Sequence, residues 1–102
     1  TVQFATSLGS EGFDESIKRV TRWGYGFSLG GEHKINPEIP DGMGYGSSQD
    51  TFGHFGQRTS MVWADKRTSL VVVFLCNRFL SSLDYKIRLK EISDAVCDTI
   101  VD

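Results

Sequence analysis

Two apolar segments separated by five polar residues lie between residues 58 and 77, and this pattern restricts the folds open to the chain. Residues 58–64 and 70–77 are rich in β-branched and aromatic side chains, which predicts two strands. The intervening DKRTS is short and polar enough to form a hairpin loop. Because the second segment is apolar without interruption, we expect it to be a central strand buried on both faces.

The last part of the chain has the pattern of an amphipathic helix. Ser81 and Ser82 are good N-cap residues, and Asp84 follows Ser81 at the spacing of a weak capping box. We therefore expect a helix of about five turns whose apolar stripe packs on the sheet. The stripe consists of Tyr85, Leu89, Ile92, Val96 and Ile100.

The first half of the chain is less regular. Bulky apolar residues alternate with glycine and serine over residues 23–30, WGYGFSLG, which predicts one further strand with an almost bare second face. Residues 1–21 are expected to be irregular, with a short helical turn in FDESIKRV that begins near Asp14, and residues 31–51 to form a long loop. The expected fold class is α+β, with an antiparallel sheet of about three strands packed against the C-terminal helix.

Length and charge exclude several classes of protein. A chain of 102 residues is expected to form at most one domain. The net charge is −2, and 11 Lys and Arg are scattered among 13 Asp and Glu, so nothing favours a nucleic-acid or membrane partner. Cys76 and Cys97 fit no metal motif. We expect them to be free thiols, which favours a reducing, cytoplasmic compartment.

Few residues are candidates for chemistry. Ser28 lies in a Gly-x-Ser-x-Gly string, but it falls within a predicted strand with no helix after it, so it lacks the context of a nucleophile elbow. His33 is expected to be an exposed loop residue, and no carboxylates or thiols stand at metal-ligand spacing around either histidine. His54, in FGHFG, has three open interpretations: a structural histidine, a binding donor, or a general acid or base.

The order of these motifs resembles a known family. The stretches RWGYGFSLGG, FGHFG and SMVWADKRTSLVVVFLCNR, followed by the final helix, are similar to the C-terminal part of serine β-lactamases and penicillin-binding proteins. The likeness is closer to the class C-like branch of esterases and D-amino-acid peptidases. It covers residues 22–102 and implies one partial domain, with residues 1–21 outside the likeness. It also implies a parent enzyme that needs no cofactor or metal and attacks a small-molecule ester or amide through an acyl-enzyme.

The resemblance assigns roles to a short motif. His54, Phe55 and Gly56 match the Lys-Thr-Gly or His-x-Gly triplet on the strand that lines the site in this family. It implies that His54 polarises the site and orients substrate, while Gly56 keeps the strand edge open. The N–H of Gln57 would form half of an oxyanion hole. Phe55 and Tyr45 are possible lining residues.

Two departures shape the functional hypotheses. Phe55 stands where a hydroxyl residue is usual and His54 where lysine is usual, which disfavours β-lactam hydrolysis. The chain also contains no Ser-x-x-Lys or Tyr-x-Asn motif, and it opens at Thr1 without an initiator Met. The first hypothesis is therefore a C-terminal portion whose nucleophile lies in a missing N-terminal half, so that this chain alone does not turn over. The alternative is a non-catalytic binding or self-assembly module, with a possible homo-oligomer.

Overall fold

A computed structural model describes residues 1–36, 38 and 41–99. Within these residues six strands form one antiparallel sheet in the order β1-β2-β3-β4-β5-β6, and a helix covers one of its faces. The elements in chain order are α1 (Val2–Ala5), β1 (Ser10–Asp14), β2 (Arg19–Trp23), β3 (Ser28–Leu29), a 3-10 helix (Glu32–Lys34), β4 (Thr51–Phe55), β5 (Met61–Asp65), β6 (Leu70–Phe74) and α2 (Ser82–Asp98).

The α+β class and the C-terminal helix are confirmed, but the expected number of strands was wrong. The sheet has six strands among the described residues rather than about three. Two of the additional strands come from the beginning of the chain, where β1 and β2 pair from Ser10↔Trp23 to Asp14↔Arg19. Most of β1 is exposed. A strand that buries neither face needs no alternation of apolar and polar residues, and the pattern by which strands are recognised is therefore absent from its sequence.

The predicted helical turn near residue 14 is instead the turn between β1 and β2. Asp14 Oδ1 accepts hydrogen bonds from the backbone N–H and the hydroxyl of Ser16, at 2.8 and 2.5 Å. Lys18 adopts a positive φ of 57°, and its N–H donates to Asp14 O at 2.7 Å. An aspartate that bonds the backbone two residues on stabilises a turn as readily as a helix start, which explains the error.

The predicted single strand over residues 23–30 is also a hairpin. Trp23 pairs with Ser28, and Gly24 N–H donates to Phe27 O at 2.8 Å. Gly26, at the turn, has a φ of +95°, a conformation that glycine adopts without strain. The alternation of bulky residues with glycine is typical of a single strand, although the chain turns back on itself within these residues.

Strand β6 lies at the edge of the sheet among the described strands, so the expectation of a central strand was wrong. Only Val72 is buried in this strand, whereas Val71 and Val73 are 66% and 61% exposed. An uninterrupted apolar sequence is compatible with burial of both faces of a strand. Burial also requires another element to pack against each face, and the sequence of the strand does not show whether one is present. The outer face of the hairpin β5–β6 is consequently apolar and open.

Helix α2 begins and packs as the sequence predicts. Ser81 is the N-cap, and its Oγ accepts from Asp84 N–H at 3.1 Å. Leu89 is fully buried in the core with Met43, Met61, Trp63 and Val72, and other stripe residues pack around that core. The packed stripe residues are Tyr85, Ile92 and Val96, while Ile100 lies outside the described residues.

A buried hydrogen-bond chain joins three parts of the fold. Trp63 Nε1–H on β5 donates to Ser93 Oγ on α2 at 3.0 Å, and Ser93 Oγ–H donates to Gly42 O in the long loop at 2.7 Å. Trp63 and Ser93 are both almost completely buried. Because the indole N–H of Trp63 and the hydroxyl of Ser93 both have partners, these bonds hold the sheet, the helix and the loop in one register.

The long loop between β3 and β4 is tied to the fold by two carboxylates. Asp65 accepts from the backbone N–H and the hydroxyl of Ser48 at 2.9 and 2.6 Å, and Asp94 Oδ1 accepts from Tyr45 N–H at 2.8 Å. Burial opposes ionisation of Asp65, yet the hydrogen bonds from Ser48 and Arg67 outweigh it and lower its pKa. Around Tyr45 and Ser48 the loop therefore packs as a fixed part of the structure.

Candidate functional site

The register of the sheet places His54 on its open face. His54 lies opposite Val62, and Val62 lies opposite Val73, so the three side chains point to the same side of three adjacent strands. The intervening residues Met61, Trp63 and Val72 are buried on the other side, beneath α2. His54 is itself exposed and accessible from solvent.

The imidazole of His54 is held at one nitrogen only. Its Nδ1 lies 3.0 Å from Phe55 O, a hydrogen bond when Nδ1 carries the proton. In that tautomer Nε2 is an acceptor, and no described residue occupies it. The Trp23 ring lies 5.9 Å from the imidazole and is tilted by 55°. The arrangement leaves Nε2 able to accept a proton or to bind a polar group.

Gly56 has a structural reason to be glycine. Its N–H donates to Ser60 O at 2.7 Å, which closes the hairpin between β4 and β5. A β-carbon at Gly56 would lie 2.5 Å from Ser60 Oγ. The space beside Gly56 is thus filled by hydroxyl groups of its own hairpin, so a larger residue fits only if those side chains rotate away.

Gln57 follows directly in the exposed hairpin loop, next to Arg58 with its positive φ of 56°. Within the described part of the chain, Gln57 N–H has no hydrogen-bond acceptor. An oxyanion hole requires a backbone N–H that is free to donate, and Gln57, two residues after the end of β4, has one. Exposed turns in many proteins also leave backbone N–H groups free.

The structure separates the two lining residues from His54. Phe55 alternates with His54 and packs against the core beneath α2. Tyr45 also lies on the α2 side: its ring stacks on His33 at 5.0 Å, and the Lys90 ammonium lies 4.3 Å from the ring centre. The site suggested by the sequence is therefore reduced to His54, Gly56 and Gln57.

A polar cluster between β2, the 3-10 helix and α2 was not anticipated. Glu32 Oε1 accepts from Arg19 Nε at 3.2 Å, and burial raises the pKa of Glu32. His33, expected to be exposed, is 13% exposed at its side chain, and its Nδ1 lies 3.0 Å from Asp41 Oδ2. Loop composition alone did not reveal this burial, because the partners are eight or more residues away in the sequence.

Other chemical options find no support in the described residues. No group of three or more His, Cys, Asp or Glu side chains is placed to hold a metal ion there. Ser28 is buried in β3, and both Cys76 and Cys97 are free. None of the helices in the described ranges has the length and hydropathy needed to span a membrane.

Comparison with known proteins supports the resemblance at the level of the fold. The chain is similar to the crystal structure of a β-lactamase from Mycobacterium bovis, with a TM-score of 0.70 and 31% sequence identity. The match covers 94% of this chain and 35% of that one, so the chain spans about a third of the length of the β-lactamase. No protein-family model and no curated protein matches the chain. The fold is thus β-lactamase-like and corresponds to part of that structure.

Proposed function

We propose that this chain is the C-terminal portion of a serine hydrolase of the class C-like branch, with an esterase or a peptidase and amidase activity that proceeds through an acyl-enzyme. The observation that carries the proposal is the position of His54. It lies on the open face of the sheet with Nε2 free, three residues before Gln57, whose N–H also has no acceptor within the described part of the chain. The likeness to a β-lactamase over 94% of this chain supports the same assignment.

In this proposal the chain forms one wall of the site and does not supply the nucleophile. His54 Nε2 polarises or orients the substrate, and Gln57 N–H stabilises negative charge on the attacked carbonyl oxygen. The serine and its base belong to the N-terminal remainder of the domain, which is also the partner that covers the open face of the sheet. Small-molecule esters or amides are the substrate class.

The test uses the protein encoded by the complete reading frame. His54→Ala is expected to lower kcat/KM for a chromogenic short-chain ester by about 100-fold, because one polarising group is lost from the transition state. His33→Asn is the matched control: the amide nitrogen can keep the contact with Asp41, and the residue lies across the sheet from His54, so activity should persist.

Circular dichroism before each assay separates lost activity from lost folding. Equal activity of the His54→Ala and unmodified proteins would remove His54 from the mechanism. A serine-directed phosphonate should label the complete protein and leave the 102-residue chain unlabelled. Labelling of the shorter chain would show that it contains a nucleophile of its own and would contradict the division of roles.

A second candidate function rests on the open apolar face. Val62, Val71, Val73 and Leu75 are 45–80% exposed, and apolar patches of this kind mark association surfaces. The alternative is therefore a non-catalytic module that binds a partner or assembles with itself through this face. Sedimentation of the 102-residue chain should then show a concentration-dependent dimer that Val73→Lys abolishes; a monomer at all concentrations would exclude self-assembly.

A further inference from the structure

A small cavity lies between β2, the 3-10 helix and α2, on the side of the sheet that α2 covers. Its volume is about 20 Å³, which suits one water molecule or one small ion. Arg19, Glu32, His33, Asp41, Tyr85 and Lys86 are the titratable or charged residues that line it. Since the sheet separates this cavity from the face that carries His54, it is distinct from the proposed hydrolase site.

The acceptors around the cavity are already used. One oxygen of Glu32 accepts from Arg19 Nε at 3.2 Å, and the other accepts from a backbone N–H of β2 at 3.3 Å. One oxygen of Asp41 lies 3.0 Å from His33 Nδ1, and the other accepts from a backbone N–H of its own loop at 3.0 Å. Each carboxylate oxygen thus already has a partner, and neither carboxylate forms a direct ion pair with Lys86 within the described residues, although both attract its ammonium through space.

The donors around the cavity are in excess. Lys86 Nζ and the Tyr85 hydroxyl have no hydrogen-bond partner among residues 1–36, 38 and 41–99, and Arg19 uses only Nε. These donors are not among the fully enclosed unbonded atoms of the described residues, so each keeps some contact with solvent. Lys90, one turn further along α2, is instead paired with Asp94 at 2.5 Å.

We propose that this cavity binds a small monoanion, either an inorganic ion of the size of chloride or the carboxylate group of a small acid, between Lys86, Arg19 and the Tyr85 hydroxyl. The anion gives these donors an acceptor and balances the charge of Lys86, which forms no ion pair within the described part of the chain. Burial and the neighbouring Arg19 lower the pKa of Lys86 to about 8, which agrees with an ammonium that lacks its counterion.

Thermal unfolding of the 102-residue chain provides the first test. At constant ionic strength, replacing gluconate by chloride or formate should raise the Tm by about 5 °C at saturation, because the ion binds only the folded state. Lys86→Met should abolish the rise. Lys90→Met is the matched control on the same helix and should retain it.

Ion binding to the unmodified chain provides the second test and does not depend on the folding of a variant. The ³⁵Cl line width should increase with protein and decrease when formate competes for the site. If formate does not reverse the broadening, the site binds inorganic anions. If formate raises the Tm but chloride shows no broadening, the site binds carboxylates. No response to either ion would overturn the proposal.

The Lys86 ammonium itself reports the bound ion. Among the groups that face it are Arg19 from β2, Glu32 and His33 from the 3-10 helix, Asp41 from the loop and Tyr85 from α2. A bound anion favours the charged amine, so the pKa of Lys86 measured on ¹³C-methylated protein should rise from about 8 toward the ordinary lysine value. An unchanged pKa at saturating anion would place the ion elsewhere.

Discussion

Replacing Trp63 by alanine is expected to lower the free energy of unfolding by about 3–5 kcal/mol. Trp63 is the largest fully buried side chain and packs between β4, β6 and α2 at the centre of the core. Its removal leaves a cavity and also takes away the donor for Ser93 Oγ. Because a domain of this size has roughly 5–15 kcal/mol of stability, the loss is a large fraction of the total.

Urea denaturation followed by far-ultraviolet circular dichroism measures this effect without relying on tryptophan fluorescence. Trp63→Phe is the first control: it keeps most of the buried ring and loses only the indole N–H, so it should cost about 1–2 kcal/mol. Trp23→Phe is the second, since Trp23 is only half-buried. A loss below about 1 kcal/mol for Trp63→Ala would show that the core collapses around the site and does not depend on this side chain.

Replacing Gly53 by alanine is expected to cost about 3 kcal/mol, although it adds only one methyl group. Gly53 lies opposite Trp63 in the pairing of β4 with β5. A β-carbon there would overlap Val62 O and approach Trp63 Cβ to 2.6 Å, and both obstacles are parts of a neighbouring strand that cannot turn aside. The methyl group can be accommodated only if β4 and β5 move apart, which weakens the ladder that positions His54.

Gly12→Ala is the matched control for this substitution. Gly12 also lies within a strand, β1, but an added β-carbon meets no atom within 4 Å. Its effect on stability should stay within about 0.5 kcal/mol, and reduced freedom of the unfolded chain can even make it favourable. Equal losses for Gly53→Ala and Gly12→Ala would mean that the conformational effect of glycine, and not the contact with β5, governs both positions.

The open face and edge of β6 connect the two candidate functions. The hydrolase proposal requires the remainder of a domain to cover this face, and the assembly alternative requires another protein or a second copy. Both predict that Val71 and Val73 become buried in the functional assembly. Only the hydrolase proposal also requires His54 to face a nucleophile, so the ester assay distinguishes the two.

Several features follow from neighbouring residues alone. Ser81 and Asp84 determine where α2 begins, and the spacing of Tyr85, Leu89 and Val96 determines which side of the helix packs. The polar DKRTS between two apolar segments determines the hairpin of β5 and β6. Capping, helical periodicity and tight turns act within a few residues, so the amino-acid order is sufficient to predict them.

The candidate site also has a part that the sequence predicts and a part that it does not. The FGHFG motif and the Gln57 that follows it predicted His54, Gly56 and Gln57 as site residues, and strand alternation then separates Phe55 from His54. That Tyr45 lies across the sheet could not be predicted, because it depends on a hydrogen bond to Asp94, 49 residues away.

Which residues are buried and which are exposed could be determined only from the tertiary structure. The apolar sequence of β6 does not reveal that one of its faces stays open, since that depends on which layers surround the sheet. Likewise, nothing near Lys86 in the sequence shows that Arg19 approaches it and that Glu32 and Asp41 are committed elsewhere. Charge and solvation depend on every residue within a few ångströms, and folding brings those residues together from distant parts of the chain.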